Sequence, residues 1–394
     1  MWSIPGKIVR GLRTHGLNYL AILARNELSY PRLSFTPRLR NAIIAVMDRI
    51  RTDRHRQDAI RQNCLQFVCD LAAMSVAFDF AHCLAAAELK RRQLGLAGME
   101  VIFIPGPEDG LRQEAPQYDQ VMPTAARHWR VRHILVAMLA LLPSVRSYTF
   151  CGTREQAGAL ITHDRDSLYP EDYRIYLPRQ PARRVVHDLA AQGIPVFPML
   201  RAPDRARELI AEFLGREARG KKALVITLRD YPYTPQRNSR LDSWVRFASS
   251  LDHSMYAPIF VLDSETIMHR SALDLEGHIV CEAASWDLEI RMALYEAAWL
   301  NMAVMHGPME LCWFSESSRY LIFLEVGLAP VGTKSMLIDA GHPPGRDLIF
   351  AKPYQHIVWE GDHLPVLQRE FAAMLPRLVD QSVATCREQL SGTT

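Results

Sequence analysis

Twice along these 394 residues, short apolar runs alternate with helical patterns, first from residue 63 and again from Ala223. No other feature constrains the fold as strongly. Strand, helix and strand in succession imply a parallel sheet whose strands are joined by crossover helices. The first series reads as strand Leu65 to Val68, helix Phe80 to Gln93 and buried strand Glu100 to Pro105. An apolar helix Ala125 to Leu142, a strand near Tyr148 to Cys151, a helix Arg183 to Gln192 and a strand Ile194 to Phe197 follow. The second series has strands at Ala223–Leu228, Pro258–Leu262, Ile279–Cys281, Met302–Met305 and Tyr320–Leu324. Its helices fall near 241–251, 287–300 and 308–314.

The expected fold class is therefore α/β, with two Rossmann-like domains in tandem behind a basic helical arm. The arm is residues 1–62, the first domain 63–205 and the second 215–363. A final helix and tail, residues 364–394, closes the chain. The length suits two cores better than one. On the helix at 287–300, Leu288, Met292, Tyr295 and Trp299 share an apolar face, with Glu289 and Arg291 placed elsewhere.

The net charge of +3 hides an asymmetry: residues 1–62 carry twelve Arg and Lys against four Asp and Glu. Charge confined to an arm does not describe a nucleic-acid binder, whose cations line the folded domains. It fits either a solvated helix face or attraction to an anionic membrane surface. Within the arm Ile43, Ile44, Met47 and Ile50 fall at helical spacing. Lys7, Arg10 and Arg13 interrupt the N-terminus, so no signal peptide is expected. The longest apolar run, Ile134 to Pro143, is about half of the ~20 residues a membrane span needs. Seven cysteines without CxxC spacing indicate neither a zinc knuckle nor a disulfide framework, which suits a cytoplasmic setting.

The chemistry concentrates at strand ends. The strand Ala223 to Leu228 stops at Arg229, and Arg237 and Asn238 precede the following helix. A cation at the carboxyl edge of a sheet, facing a helix start, is an anion-binding arrangement. The helix dipole contributes about 0.3–1 kcal/mol. Charge-assisted contacts from an arginine contribute about 1.5–3 kcal/mol each and dominate. Asp263 and Glu265, after the next strand, are placed to accept from ribose or sugar hydroxyls, or Asp263 caps a helix. Met302 to Leu311 runs from an apolar strand through His306, Gly307 and Pro308 into a helix with Glu310 in its first turn. In the first domain Asp79 and His82 flank a helix start, where an acceptor-side base is expected, with Glu108 and Asp109 as competitors. Glycine-rich dinucleotide and P-loop fingerprints are absent, and no side-chain cluster has metal-ligand spacing.

Together, Thr227-Leu228-Arg229, Leu262-Asp263-Ser264-Glu265 and Met305-His306-Gly307-Pro308 resemble the donor domain of a GT-B type glycosyltransferase, in the fucosyltransferase-like branch. The Gly307-Pro308 turn is also similar to that of heptosyltransferase-like enzymes. Leu228 and Asp230 flank Arg229 where fucosyltransferases carry His-Arg-Arg, so nucleotide and sugar stay open. The resemblance covers roughly residues 222–330. It implies metal-independent hexosyl or deoxyhexosyl transfer from a nucleotide-sugar donor to a glycan or lipid-linked acceptor, in surface polysaccharide or glycoconjugate synthesis. Arg229 would neutralise the leaving diphosphate, with Arg237, Asn238, Asp263, Glu265, His306, Gly307, Pro308 and Glu310 around the donor. Asp79 or His82 would deprotonate the acceptor. The terminal helix would cross back to the first domain, and the arm would hold the enzyme at the inner membrane face. No cofactor or metal is expected. A sugar-nucleotide epimerase of the same architecture, or a non-catalytic nucleotide-sugar-binding or assembly module, would read the same way.

Overall fold

The structure, a computed structural model, describes residues 20–29, 31, 33–50, 63–161, 167–264, 275–328 and 333–391. The chain divides into two compact units, one of Met1–Arg132 with Pro143–Val185 and the other of His133–Leu142 with Val186–Thr394.

The first unit is built on a four-stranded parallel sheet in the order β3-β2-β1-β4. Its strands are β1 (Cys64–Asp70), β2 (Gly98–Ile104), β3 (Val145–Phe150) and β4 (Leu168–Tyr169). The crossover helix Phe80–Gln93 is rich in alanine, the best helix former, and carries Lys90, Arg91 and Arg92 in its last turn. Glu88, 3% exposed, accepts from both arginines and from Ser144 Oγ at 2.6 Å. That carboxylate ties the helix to the turn before β3. In the arm, the helix Thr36–Ile50 half-buries Ile43, Ile44 and Met47. Arg40 is buried and donates to Asp172 Oδ2 at 3.1 Å and Leu177 O at 2.9 Å. That cation docks the helix on the first unit; the arm's residues 1–19 and 51–62 lie outside the described residues.

The second unit has a six-stranded parallel sheet in the order β10-β9-β8-β5-β6-β7. The strands are β5 (Lys222–Thr227), β6 (Tyr256–Val261), β7 (Ile279–Val280), β8 (Leu300–Val304), β9 (Tyr320–Phe323) and β10 (Gln355–Val358). The chain starts at β5, steps outward to β7, then returns to β8 on the other side and steps outward again. This is the doubly wound order, and its direction reverses between β5 and β8. The inner strands are buried along almost their whole length, as a sheet covered on both faces requires. On one face Leu224, Phe260, Met302 and Phe323 pack with Trp244 and Phe247 of the helix Leu241–Ser250. The helix Leu364–Ser391 adds Leu367, Phe371, Met374 and Leu378 to this core, so its first half belongs to the second unit.

Two expectations differ from the structure. Residues 194–197 form no strand; Pro195 and Pro198 lack the N–H groups a ladder needs. The helix expected over Ala125 to Leu142 is three segments: Thr124–Arg130, a π-helix Val131–Val136 and Ala137–Leu139. The short strands β4 and β10 are additions the apolar pattern did not reveal. Among the described residues no helix is long and apolar enough to cross a membrane.

Candidate functional site

The order reverses between β5 and β8, and the carboxyl edge at such a reversal is where doubly wound folds have their ligand crevice. Leu228 and Arg229 leave β5 there, Leu262 and Asp263 leave β6, and Met305 to Pro308 leave β8. Three sequence-predicted groups therefore share one edge.

Arg229 does not reach out of the fold. It is 7% exposed, and its guanidinium turns back into the following loop. Nη2 donates to Tyr233 O at 2.6 Å and Nη1 to Thr234 O at 3.2 Å and to Asn238 Oδ1. The Arg229 N–H donates to Ser239 Oγ at 2.8 Å, and the Ser239 N–H returns to Arg229 O at 2.9 Å. Asn238 Oδ1 also accepts from the Tyr231 N–H at 3.1 Å. One buried cation thus fixes the loop of residues 231–239. That loop in turn carries Arg237 across to β8, where its Nη2 donates to Met305 O at 2.9 Å. The helix after the loop, Leu241–Ser250, is capped from a distance. Asp362 Oδ2 accepts from the Arg240 N–H at 2.8 Å and from Trp244 Nε1 at 2.7 Å.

A third arginine lies beneath this edge. Arg291 lies off the apolar face of its helix by spacing, yet it is only 4% exposed. Its Nε donates to Ala284 O at 2.5 Å and its Nη2 to Leu262 O at 3.2 Å, which tethers the end of β6. Burial, followed by repulsion from Arg237, lowers the Arg229 pKa to about 10, with Asp263, Tyr231 and Asp230 opposing the shift. Arg229 therefore remains charged at neutral pH. Asp263 accepts the Asp230 N–H at 2.8 Å. Burial raises its carboxyl above the usual range, against the pull of that N–H, Arg291 and Arg229. An anion between Arg229 and Arg237 would relieve their mutual repulsion.

His306, 5% exposed, donates Nδ1–H to Val304 O at 2.7 Å, and its Nε2 has no partner among the described residues. Burial, with repulsion from Arg291, Arg229 and Arg237, takes its pKa from 6.5 down to about 3 against the Val304 hydrogen bond. The imidazole is neutral and is no acid at physiological pH. Below about 6.5 the unfolded chain takes up a proton that the folded site refuses until about 3. The stability tied to this group is therefore complete above about 6.5 and declines as the pH falls toward about 3. His306→Gln should flatten the acid side of a plot of melting temperature against pH. An unchanged acid slope would refute the assignment.

Gly307 and Pro308 form the turn into the helix Met309–Trp313, and Glu310 is buried in that first turn. Glu265 lies outside the described residues. In the first unit, Asp79 accepts from Ser75 Oγ at 2.5 Å and pairs with Arg183 at 3.3 Å. Burial favours the protonated Asp79, yet Arg183, Ser75 and Arg112 outweigh it and hold the carboxyl below its usual range. A carboxylate so stabilised is a weak base. His82 is fully buried in its helix, and Asp109 pairs with His128 at 3.2 Å. Among the described residues no group of three His, Cys, Asp or Glu side chains could hold a metal ion, and the six described cysteines form no disulfide.

No known protein-family profile matches the sequence, and no curated protein does. Similar solved structures include a family 9 glycosyl transferase from Veillonella parvula, at 9% identity and a TM-score of 0.46, covering 82% of this chain and 98% of that one. The E. coli heptosyltransferase WaaC, solved with ADP-2-deoxy-2-fluoro heptose, is 11% identical with a TM-score of 0.35, covering 81% and 100% of the two chains. The wall teichoic acid polymerase TagF is 10% identical with a TM-score of 0.29, covering 96% and 93%.

Proposed function

We propose that this chain is a glycosyltransferase that moves a sugar from a nucleoside-diphosphate donor, with arginines taking the charge of the departing diphosphate. The observation that carries the reading is the bridge at the sheet's reversal. Arg229 fixes the loop, the loop holds Arg237 against Met305 O, and Arg291 lies buried below. Charge that grows on a leaving diphosphate is best stabilised by cations already held in place. The three strand-end motifs and the doubly wound order support the same placement.

The roles divide accordingly. Arg237 contacts the anion, while Arg229 positions Arg237 and the loop that carries it. Arg291 adds fixed positive potential and anchors the end of β6, where Asp263 is placed to accept from a sugar or ribose hydroxyl. His306, neutral and with its tautomer fixed, serves as an acceptor rather than a proton donor. In this reading the acceptor is a glycan or lipid-linked saccharide.

A thermal-shift panel of ADP, CDP, GDP, UDP and their common sugar conjugates tests the proposal. One nucleotide should stabilise the protein by about 2.7 kcal/mol at a concentration 100 times its Kd. Unchanged melting with every nucleotide would refute nucleotide binding. Free epimer, formed from a sugar nucleotide without acceptor, would identify an epimerase instead.

A further inference from the structure

One exposed aromatic residue stands on the same sheet edge and is not used by the site just described. Trp286 is 41% exposed and is the one tryptophan in the exposed class among the described residues. It ends the short helix Ala283–Trp286, which follows β7 after Cys281 and Glu282. The Cys281 N–H still donates to Phe260 O at 2.9 Å, so the ladder with β6 runs to the base of that helix. The next helix, Leu288–Ala297, is capped by Asp287 and returns the chain to the start of β8. Trp286 therefore sits at the carboxyl edge, between the end of β7 and the start of the return helix.

Its backbone is held from two sides. Ser264 Oγ, just beyond β6, donates to Ser285 O at 2.6 Å. The buried Arg291 donates to Ala284 O at 2.5 Å and to Leu262 O at 3.2 Å. An interior guanidinium and a hydroxyl thus fix a four-residue helix whose final side chain is an exposed indole. That ring makes no hydrogen bond, ring stack or cation contact with the described residues. An exposed aromatic ring on a rigid support is suited to stacking, since its face is apolar and its orientation is already set.

We infer that Trp286 is the platform on which the base of the bound nucleotide stacks. The inference rests on the nucleotide reading of the β5–β8 crevice. Adjacent strands lie about 4.8 Å apart, so β7 stands about 10 Å from β5. The diphosphate would lie at the reversal between β5 and β8, the ribose would cross the end of β6 at Asp263, and the base would reach the end of β7. Stacking accepts any base, because every base has a π-face, so the platform contributes affinity without choosing the nucleotide.

The test is calorimetric titration of the full chain and of Trp286→Ala and Trp286→Phe with ADP, CDP, GDP, UDP and inorganic pyrophosphate. Pyrophosphate has no base and reads the arginines alone. Trp286→Ala should weaken the tightest nucleoside diphosphate about 10- to 100-fold and leave pyrophosphate unchanged. Trp286→Phe should keep most of the nucleotide affinity. Nucleotide binding unchanged in Trp286→Ala would overturn the platform and leave the phosphate site standing. So would a wild type that binds nucleotides no tighter than pyrophosphate, or an alanine variant that loses both ligands equally. If the wild type bound neither ligand, the nucleotide reading would fall and the platform with it.

Discussion

Arg229→Ala should lower transfer at least about a hundredfold and weaken pyrophosphate binding, because the loop that holds the charge-stabilising Arg237 in place loses its support. The effect has two parts. The loop of residues 231–239 loses the cation that accounts for its inward carbonyls at Tyr233 and Thr234 and for Asn238 Oδ1. Hydrogen bonds to a charged group are worth about 1.5–3 kcal/mol each, and the loop can recover part of that from water. The melting temperature should therefore fall as well. Arg237→Ala separates the two parts. Its guanidinium is half-buried and bridges to Met305 O, so its removal should weaken pyrophosphate with little change in melting. Arg229→Lys should not rescue the loss, because an ammonium lacks the planar fork that reaches four acceptors at once. Near-wild-type turnover in Arg229→Ala would remove the residue from the mechanism. Equal melting in both alanine variants would remove its positioning role.

The architecture was legible because it rests on periodicity. Apolar runs marked β5, β6, β8 and β9 to within about two residues, since strands buried on both faces must be apolar throughout. The strand-end residues Arg229, Asp263 and His306 followed from the same pattern, because the ends of parallel strands share one edge. What each side chain does there was not legible. Arg229 stood at a strand end in the sequence, but only tertiary structure shows that its donors face inward. Arg291 was hidden for a related reason. Helical spacing assigns a charged residue to the solvated face by default, and a buried guanidinium satisfied by Ala284 O and Leu262 O violates that rule without any local mark. Asp362, which caps the helix at Leu241 from about 120 residues away in sequence, leaves no local signal at all. Trp286 carried none either, since an indole after a short strand is equally suited to a core. The helix start at Asp79 and His82 is legible in the sequence, whereas the burial of His82 and the pairing of Asp79 with Arg183 are not.

The largest loss of stability should come from the first unit, through Arg154→Met. Asp70 ends β1 with no solvent exposure, and both its oxygens are engaged. Arg154 donates to Oδ1 at 2.9 Å and to Oδ2 at 2.7 Å. Tyr173 Oη donates to Oδ2 at 2.6 Å, and the Ala72 N–H to Oδ1 at 3.0 Å. The guanidinium also donates to Pro105 O at 3.0 Å and to Ile175 O, so it joins the ends of β1 and β2 to the segment after β4. Methionine fills similar space but leaves a fully buried carboxylate without its counter-charge. Breaking a buried pair in this way costs about 3–5 kcal/mol. In a unit of this size that corresponds to a drop of roughly 6–20 °C in its melting temperature. Asp70→Asn should cost less, because it leaves Arg154 behind, and that side chain is 31% exposed and can reach water. The order of the two single variants is therefore the discriminating result. The double variant, Asp70→Asn with Arg154→Met, should recover part of the loss, since removing the second charge removes the penalty created by removing the first. Calorimetry on the four proteins measures both quantities. If Asp70→Asn proved the more damaging single change, the unpaired carboxylate would not be the source of the penalty, and the loss would lie in the hydrogen bonds from Tyr173 and Ala72.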